Sequence, residues 1–99
     1  MNRVLIVEPE AEAEIVEAAV WYDERAKILR ESFLRAVAAS MSVIEQHPYR
    51  YQIIFGQVRR AMVRGFPYAL LYVASENEVN VLACFHCSRD PKPWQGRLP

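Results

Sequence analysis

After one short strand-like run at its start, the first half of this chain spaces its apolar residues for helices, and most of the second half spaces them for strands. Arg3 to Val7 is a β-branched and aliphatic run closed by Glu8-Pro9, and it predicts a short buried strand. Pro9 suits the first turn of a helix, where its missing N–H costs nothing, and the acids at 10, 12 and 14 suit the positive end of the helix dipole. Ala11, Ile15, Ala18, Ala19 and Tyr22 make one apolar stripe, so this helix is expected to run to about Glu24. Trp21 lies beside the stripe, and its indole N–H needs a partner if buried. After a break at Arg25 to Lys27, Leu29, Phe33, Ala36, Val37, Met41 and Ile44 form a second stripe. Pro48 disfavours helical backbone at His47, which ends the second helix by Gln46. The short connection makes the helices antiparallel neighbours over a common core.

The period then changes. Tyr49 to Phe55 carries three aromatics around Gln52 and is followed by Gly56; it reads as a loop that packs rings under a sheet. Arg59 to Arg64 alternates, with Arg60, Met62 and Arg64 on one face and Arg59, Ala61 and Val63 on the other. Pro67 to Ser75 and Val79 to Cys87 read as long strands joined by the polar turn Glu76-Asn77-Glu78, an antiparallel hairpin. In the last strand Val79, Val81, Ala83 and Phe85 oppose Asn80, Leu82, Cys84 and His86. The expected architecture is α+β: an N-terminal strand, then a two-helix antiparallel hairpin packed on one face of an antiparallel β-sheet. No helix remains to cover the other face. Met62, Tyr72 and Leu82 are expected to be partly exposed there, as a surface for a partner.

Composition narrows the class. Ninety-nine residues at 53% apolar make a single domain over 1–99, able to bury one core without disulfides or metal. The formal net charge is zero, which argues against a wide nucleic-acid footprint. The distribution is uneven: nine acids face six bases up to Arg50, and three acids face six bases from Tyr51 onward. The second half is therefore locally basic. No run approaches the roughly 20 apolar residues of a membrane span, and no signal-like segment opens the chain, so a reducing, cytoplasmic setting is expected.

Several residues carry candidate chemistry, each beside a plainer reading. Cys84 and Cys87 have the spacing of half a zinc site around His86. Strand residues three apart face opposite ways, however, so no metal is expected and both cysteines read as small buried residues. His86, with Arg89 and Asp90 after it, is either a general acid or base beside a cationic stabiliser or a histidine that fixes its loop. His47 reads as a helix-end or solvent residue. Arg59, Arg60, Arg64, Arg89, Lys92 and Arg97 are either a phosphate-binding patch or a solvated face paired with the acidic first helix. Tyr68, Tyr72 and Trp94 are either stacking platforms or packing residues.

The string FPYALLY at 66–72, preceded by Arg59-Arg60 and Arg64, together with VNVLACFHCSRDPKPW at 79–94, closely resembles the RelE/ParE toxin superfamily of bacterial type II toxin–antitoxin systems. Ala19 to Arg25 and Phe33-Leu34 look like its plasmid-stabilisation branch. The resemblance implies a curved sheet under two N-terminal helices, no cofactor, and a cognate antitoxin whose flexible segment wraps the toxin, giving a toxin–antitoxin hetero-oligomer. Two activities diverge within the family. RelE-like members are metal-independent, ribosome-dependent mRNA endonucleases; on that pattern His86 is the base or acid, and Arg60, Arg64 and Arg89 are the phosphate clamp. Trp94 falls near a terminal tyrosine of that branch but cannot transfer a proton as tyrosine does, and Met62 and Ala69 stand where basic residues are common. ParE-like members inhibit DNA gyrase by binding; on that pattern Arg60, Arg64, Tyr72, Arg89 and Trp94 are target-binding anchors. The resemblance thus leads to a growth-inhibiting toxin of ParE-like type acting on gyrase or another target, with a RelE-like nuclease acting on the ribosome and its mRNA, or a non-toxic antitoxin-binding homologue, as alternatives.

Overall fold

The computed structural model describes residues 3–88, and the expected Arg89 and Trp94 lie outside them. Its elements are β1 (Val4–Val7), α1 (Pro9–Asp23), α2 (Lys27–Gln46), β2 (Ile53–Phe55), β3 (Val58–Met62), β4 (Tyr68–Ala74) and β5 (Glu78–His86). They form one sheet in the order β1-β5-β4-β3-β2. The meander from β3 to β5 is antiparallel as expected, and the stretch read as a loop before it contributes a further strand, β2, antiparallel to β3. The sheet as a whole is mixed, because β1 adds to β5 in parallel, Leu5 opposite Val79 and Val7 opposite Val81. Contacts at both ends hold β1 in place. The Arg3 guanidinium donates to the Ser75 carbonyl at 2.9 Å, the Glu8 amide donates to Val81 at 2.9 Å, and Asn80 donates to the Glu8 carboxylate at 2.9 Å.

All five positions of the first stripe, Ala11, Ile15, Ala18, Ala19 and Tyr22, are buried. On α2 the buried line is Phe33, Val37, Ser40 and Ile44, whereas Leu29 is exposed. Ser40 is tolerated inside because its hydroxyl donates to the Met62 carbonyl at 3.4 Å, joining α2 to the end of β3. Tyr22, Phe33, Phe66 and Tyr68 interlock with ring centroids 5.1–6.3 Å apart, mostly edge to face. Gly65 takes φ +86, a conformation most side chains resist, in the bend between β3 and β4 that places Phe66 against this cluster.

The second face of the sheet is not bare. Val58, Ala69, Leu71, Ala83 and Phe85 form a smaller buried cluster there, with Ile54, Val73, Leu82 and Cys87 packed around it. Two expectations change as a result. Tyr72 does not lie on the open face; it is fully buried under the helices, and its hydroxyl donates to the Pro48 carbonyl at 2.6 Å. Val79 and Val81 also do not share a face with Ala83 and Phe85. A register shift pairs Leu71 with Ala83 but Tyr72 with Val81, so Leu82 is an extra residue that inverts the alternation. Met62 is half exposed as expected, and Leu82 is partly buried.

Two clefts and the placement of the candidate residues

The first cleft, of about 460 Å³, opens between α1 and the end of β5. His86 reaches it because Tyr68 lies directly opposite in the β4–β5 ladder, and the two rings meet edge on at 5.1 Å. The His86 Nδ1 accepts the Ser88 amide at 3.1 Å, which places the proton of the neutral ring on Nε2. Around it stand Glu14, Glu17 and Glu24 from α1, with Val20, Trp21 and Phe85 as apolar wall. Glu14 accepts the Cys84 amide at 2.9 Å and so ties α1 to β5. Trp21 leans edge on against Tyr22 at 5.0 Å, and the Arg25 guanidinium lies 3.3 Å over its ring. Among the described residues no arginine or lysine lines this cleft. Three carboxylates repel a phosphodiester and favour a cation.

The second cleft, of about 540 Å³, lies between the outer half of α2 and the β3 side of the sheet, and here the charge is reversed. Arg64 lines it together with Arg35 and Arg50, two residues that the sequence reading did not single out. Arg50 arrives on the loop that follows α2. Tyr72 fixes that loop through Pro48, and Arg59 fixes it by donating to the Tyr51 and Tyr49 carbonyls at 2.6 and 3.3 Å. Arg59 therefore serves the loop's shape. A cue for the site was present in the chain, since Arg35 precedes Ala36 and Ala39 on α2 and Arg50 sits inside the aromatic loop.

The strand pleat separates the remaining candidates. Arg60 follows Val58 by two positions, so it projects from the second face of the sheet. It approaches Cys87, whose thiol is pushed up by burial and partly drawn back by the Arg60 charge. His86 projects toward α1, on the helix side. His86, Arg60 and Arg64 thus occupy the acidic cleft, the opposite face and the basic cleft, and they do not converge on one reacting atom. Cys84 packs in the helix-side core and Cys87 on the other face, so the two sulfurs do not share an ion. Burial and the neighbouring Glu14 push the Cys84 thiol up to about 12, leaving it protonated and inert. No helix among the described residues is long and apolar enough to cross a membrane.

A strand, a helical hairpin and a meander whose last strand pairs in parallel with the first define a RelE/ParE-like α+β fold. Among solved structures, the chain is similar to one described as "Chromosomal ParDE TA system from P. aeruginosa". The TM-score is 0.75 at 11% sequence identity, covering 85% of this chain and 95% of that one. No family model matches the sequence, and no curated protein matches it.

Proposed function

We propose that this chain is the toxin of a type II toxin–antitoxin pair, held by a cognate antitoxin in the cytoplasm and acting on its target by binding. The observation that carries this reading is the superposition, over nearly the whole of both chains, with a structure of a ParDE toxin–antitoxin system. The ParE-like mode, with DNA gyrase as the target that branch implies, draws support from the separation of His86, Arg60 and Arg64 onto three surfaces. A nuclease needs its base, acid and phosphate clamp within hydrogen-bond reach of one phosphate. Here the histidine lies among carboxylates instead.

The test is controlled expression in a bacterium, with and without the protein encoded in the adjacent reading frame. DNA supercoiling and the 5′ ends of messages are read in the same culture. The expected result is growth arrest with gyrase inhibited and messages intact, relieved by the neighbour. New cuts inside translated codons would instead establish a RelE-like nuclease. Normal growth, with the neighbour still bound, would leave a non-toxic antitoxin-binding homologue.

A further inference from the structure

Besides its buried stripe, α1 turns a second apolar line to the outside. Val16 and Val20, one helical turn apart, are 55% and 52% exposed, and Ala13 precedes them on the same side. On α2, Ile28 and Leu34 are 60% and 40% exposed. The Asp23–Arg30 ion pair, at 3.3 Å, marks the level and the flank at which the two helices meet. Val16 is seven residues before Asp23 and Leu34 four after Arg30, so each shares the flank of its ion-pair residue. At about 1.5 Å of rise per residue, Val20, Leu34, Val16 and Ala38 stand about 5, 6, 11 and 12 Å along the seam from that ion pair. The apolar residues of the two helices therefore alternate into one patch on the side of the hairpin away from the sheet.

The charges beside this patch decide what fits it. α1 contains no lysine or arginine, and Glu17 and Glu24 stand exposed next to the valines. On α2 the exposed charges are Lys27 and Arg35, whereas Glu31 and Glu45 are half-buried. The patch thus has an acidic half and a basic half. A two-fold axis running along the helices lays α1 of one copy antiparallel on α2 of another and leaves the levels unchanged. Val16 and Val20 then meet Leu34 and Ile28, Glu17 comes opposite Arg35, and Glu24 comes opposite Lys27. A two-fold axis across the helices would instead stack α1 on α1, acid against acid, which is unfavourable.

We propose that the outer face of the α1–α2 hairpin receives a second copy of this chain, in an isologous dimer whose α1 helices each lie on α2 of the partner. Burial of the valines, Leu34 and Ile28 supplies the affinity, and the exposed ion pairs select the orientation. The dimer stands independently of the function proposed above.

The experiment is sedimentation equilibrium of the full chain and of its Val20→Glu, Glu17→Arg and Arg35→Glu variants, together with the double variant Glu17→Arg/Arg35→Glu. All the altered side chains are exposed, and circular dichroism checks that each variant is folded. The unaltered chain is expected to reach twice the mass of one copy as its concentration rises. Val20→Glu is expected to weaken the dimer by about a hundredfold or more, because the two-fold axis places the new carboxylate in the contact twice. Each single reversal is expected to weaken it by about tenfold, and the double reversal to restore it. A chain that stays monomeric up to about 1 mM would overturn the proposal, since a dimer weaker than that is not a specific contact. A dimer that Val20→Glu leaves intact would place the contact on another face and overturn it equally. Reversals without effect, or a double variant no tighter than the single ones, would overturn the packing of α1 on α2.

Discussion

Replacing Tyr72 by Phe removes one oxygen atom from the interior. The ring is fully buried, and its hydroxyl donates at 2.6 Å to the carbonyl of Pro48, itself buried. That carbonyl accepts no other hydrogen bond among the described residues, so the variant leaves a desolvated acceptor unpaired. The cost of such a group is about 1–3 kcal/mol, which in a domain of this size lowers Tm by roughly 5–20 °C. The deficit also depends on pH. Burial, offset in part by the Arg59 charge, pushes the Tyr72 hydroxyl from 10.0 up to about 12. The folded state holds this proton more tightly, so the tyrosine's contribution is whole below pH 10 and falls as pH rises toward 12. The difference between the two proteins should accordingly shrink by up to about 3 kcal/mol across that window. Thermal unfolding followed by circular dichroism at pH 7 and near pH 11 reads both effects. An unchanged Tm at pH 7, with target or antitoxin binding lost, would refute the reasoning and return Tyr72 to the surface.

Other perturbations follow from the same packing. Phe33→Ala empties the centre of the aromatic cluster and should cost about 3–5 kcal/mol, a large share of the stability of a domain this size, read by urea unfolding. In the folded protein a thiol reagent at pH 8 should leave Cys84 unmodified and reach Cys87 first, with Cys84 reacting only after denaturant is added. The contribution of the buried Cys84 thiol to stability should be whole up to about pH 9 and fall above it, since its pKa rises from 9.0 to about 12 on folding and the unfolded chain ionises first. A Cys84→Ala variant should lack that decline.

The helices were legible because each buries a single stripe, and the period of that stripe is local. The α1 stripe is buried as read; on α2, Leu29 faces out and Ser40 faces in, since a hydroxyl can be buried when a carbonyl 22 residues away accepts its hydrogen bond. The parallel pairing of β1 with β5 was not legible, because the two strands lie some 74 residues apart and nothing in either run specifies its neighbour. Strand β2 was not legible because Ile53, Ile54 and Phe55 are all apolar, so its exposed-buried-exposed alternation has no counterpart in the sequence. The bulge at Leu82 had the larger consequence. It inverts the faces within β5, and an uninterrupted alternation read across it places Ala83 and Phe85 with the helix-side valines.

The candidate site was less legible still. Each charged residue was visible, but which face and cleft it joins is set by pleat and loop geometry. Arg60 and Arg64 are four apart in sequence, yet one projects from the second face of the sheet and the other lines the cleft beside α2. Arg35 and Arg50 belong with Arg64 only because the Tyr72–Pro48 and Arg59–Tyr51 hydrogen bonds fold the 47–52 loop beside α2.

The central claim is that the protein acts by binding and not through His86 as an acid or base. Expression of His86→Gln, beside the unaltered chain and at matched soluble levels, tests it most directly. Glutamine can still receive the Ser88 amide but cannot carry a proton at neutral pH. Growth arrest and gyrase inhibition undiminished by the substitution are the predicted result. A folded His86→Gln protein that no longer arrests growth, with message cleavage lost at the same time, would contradict the account.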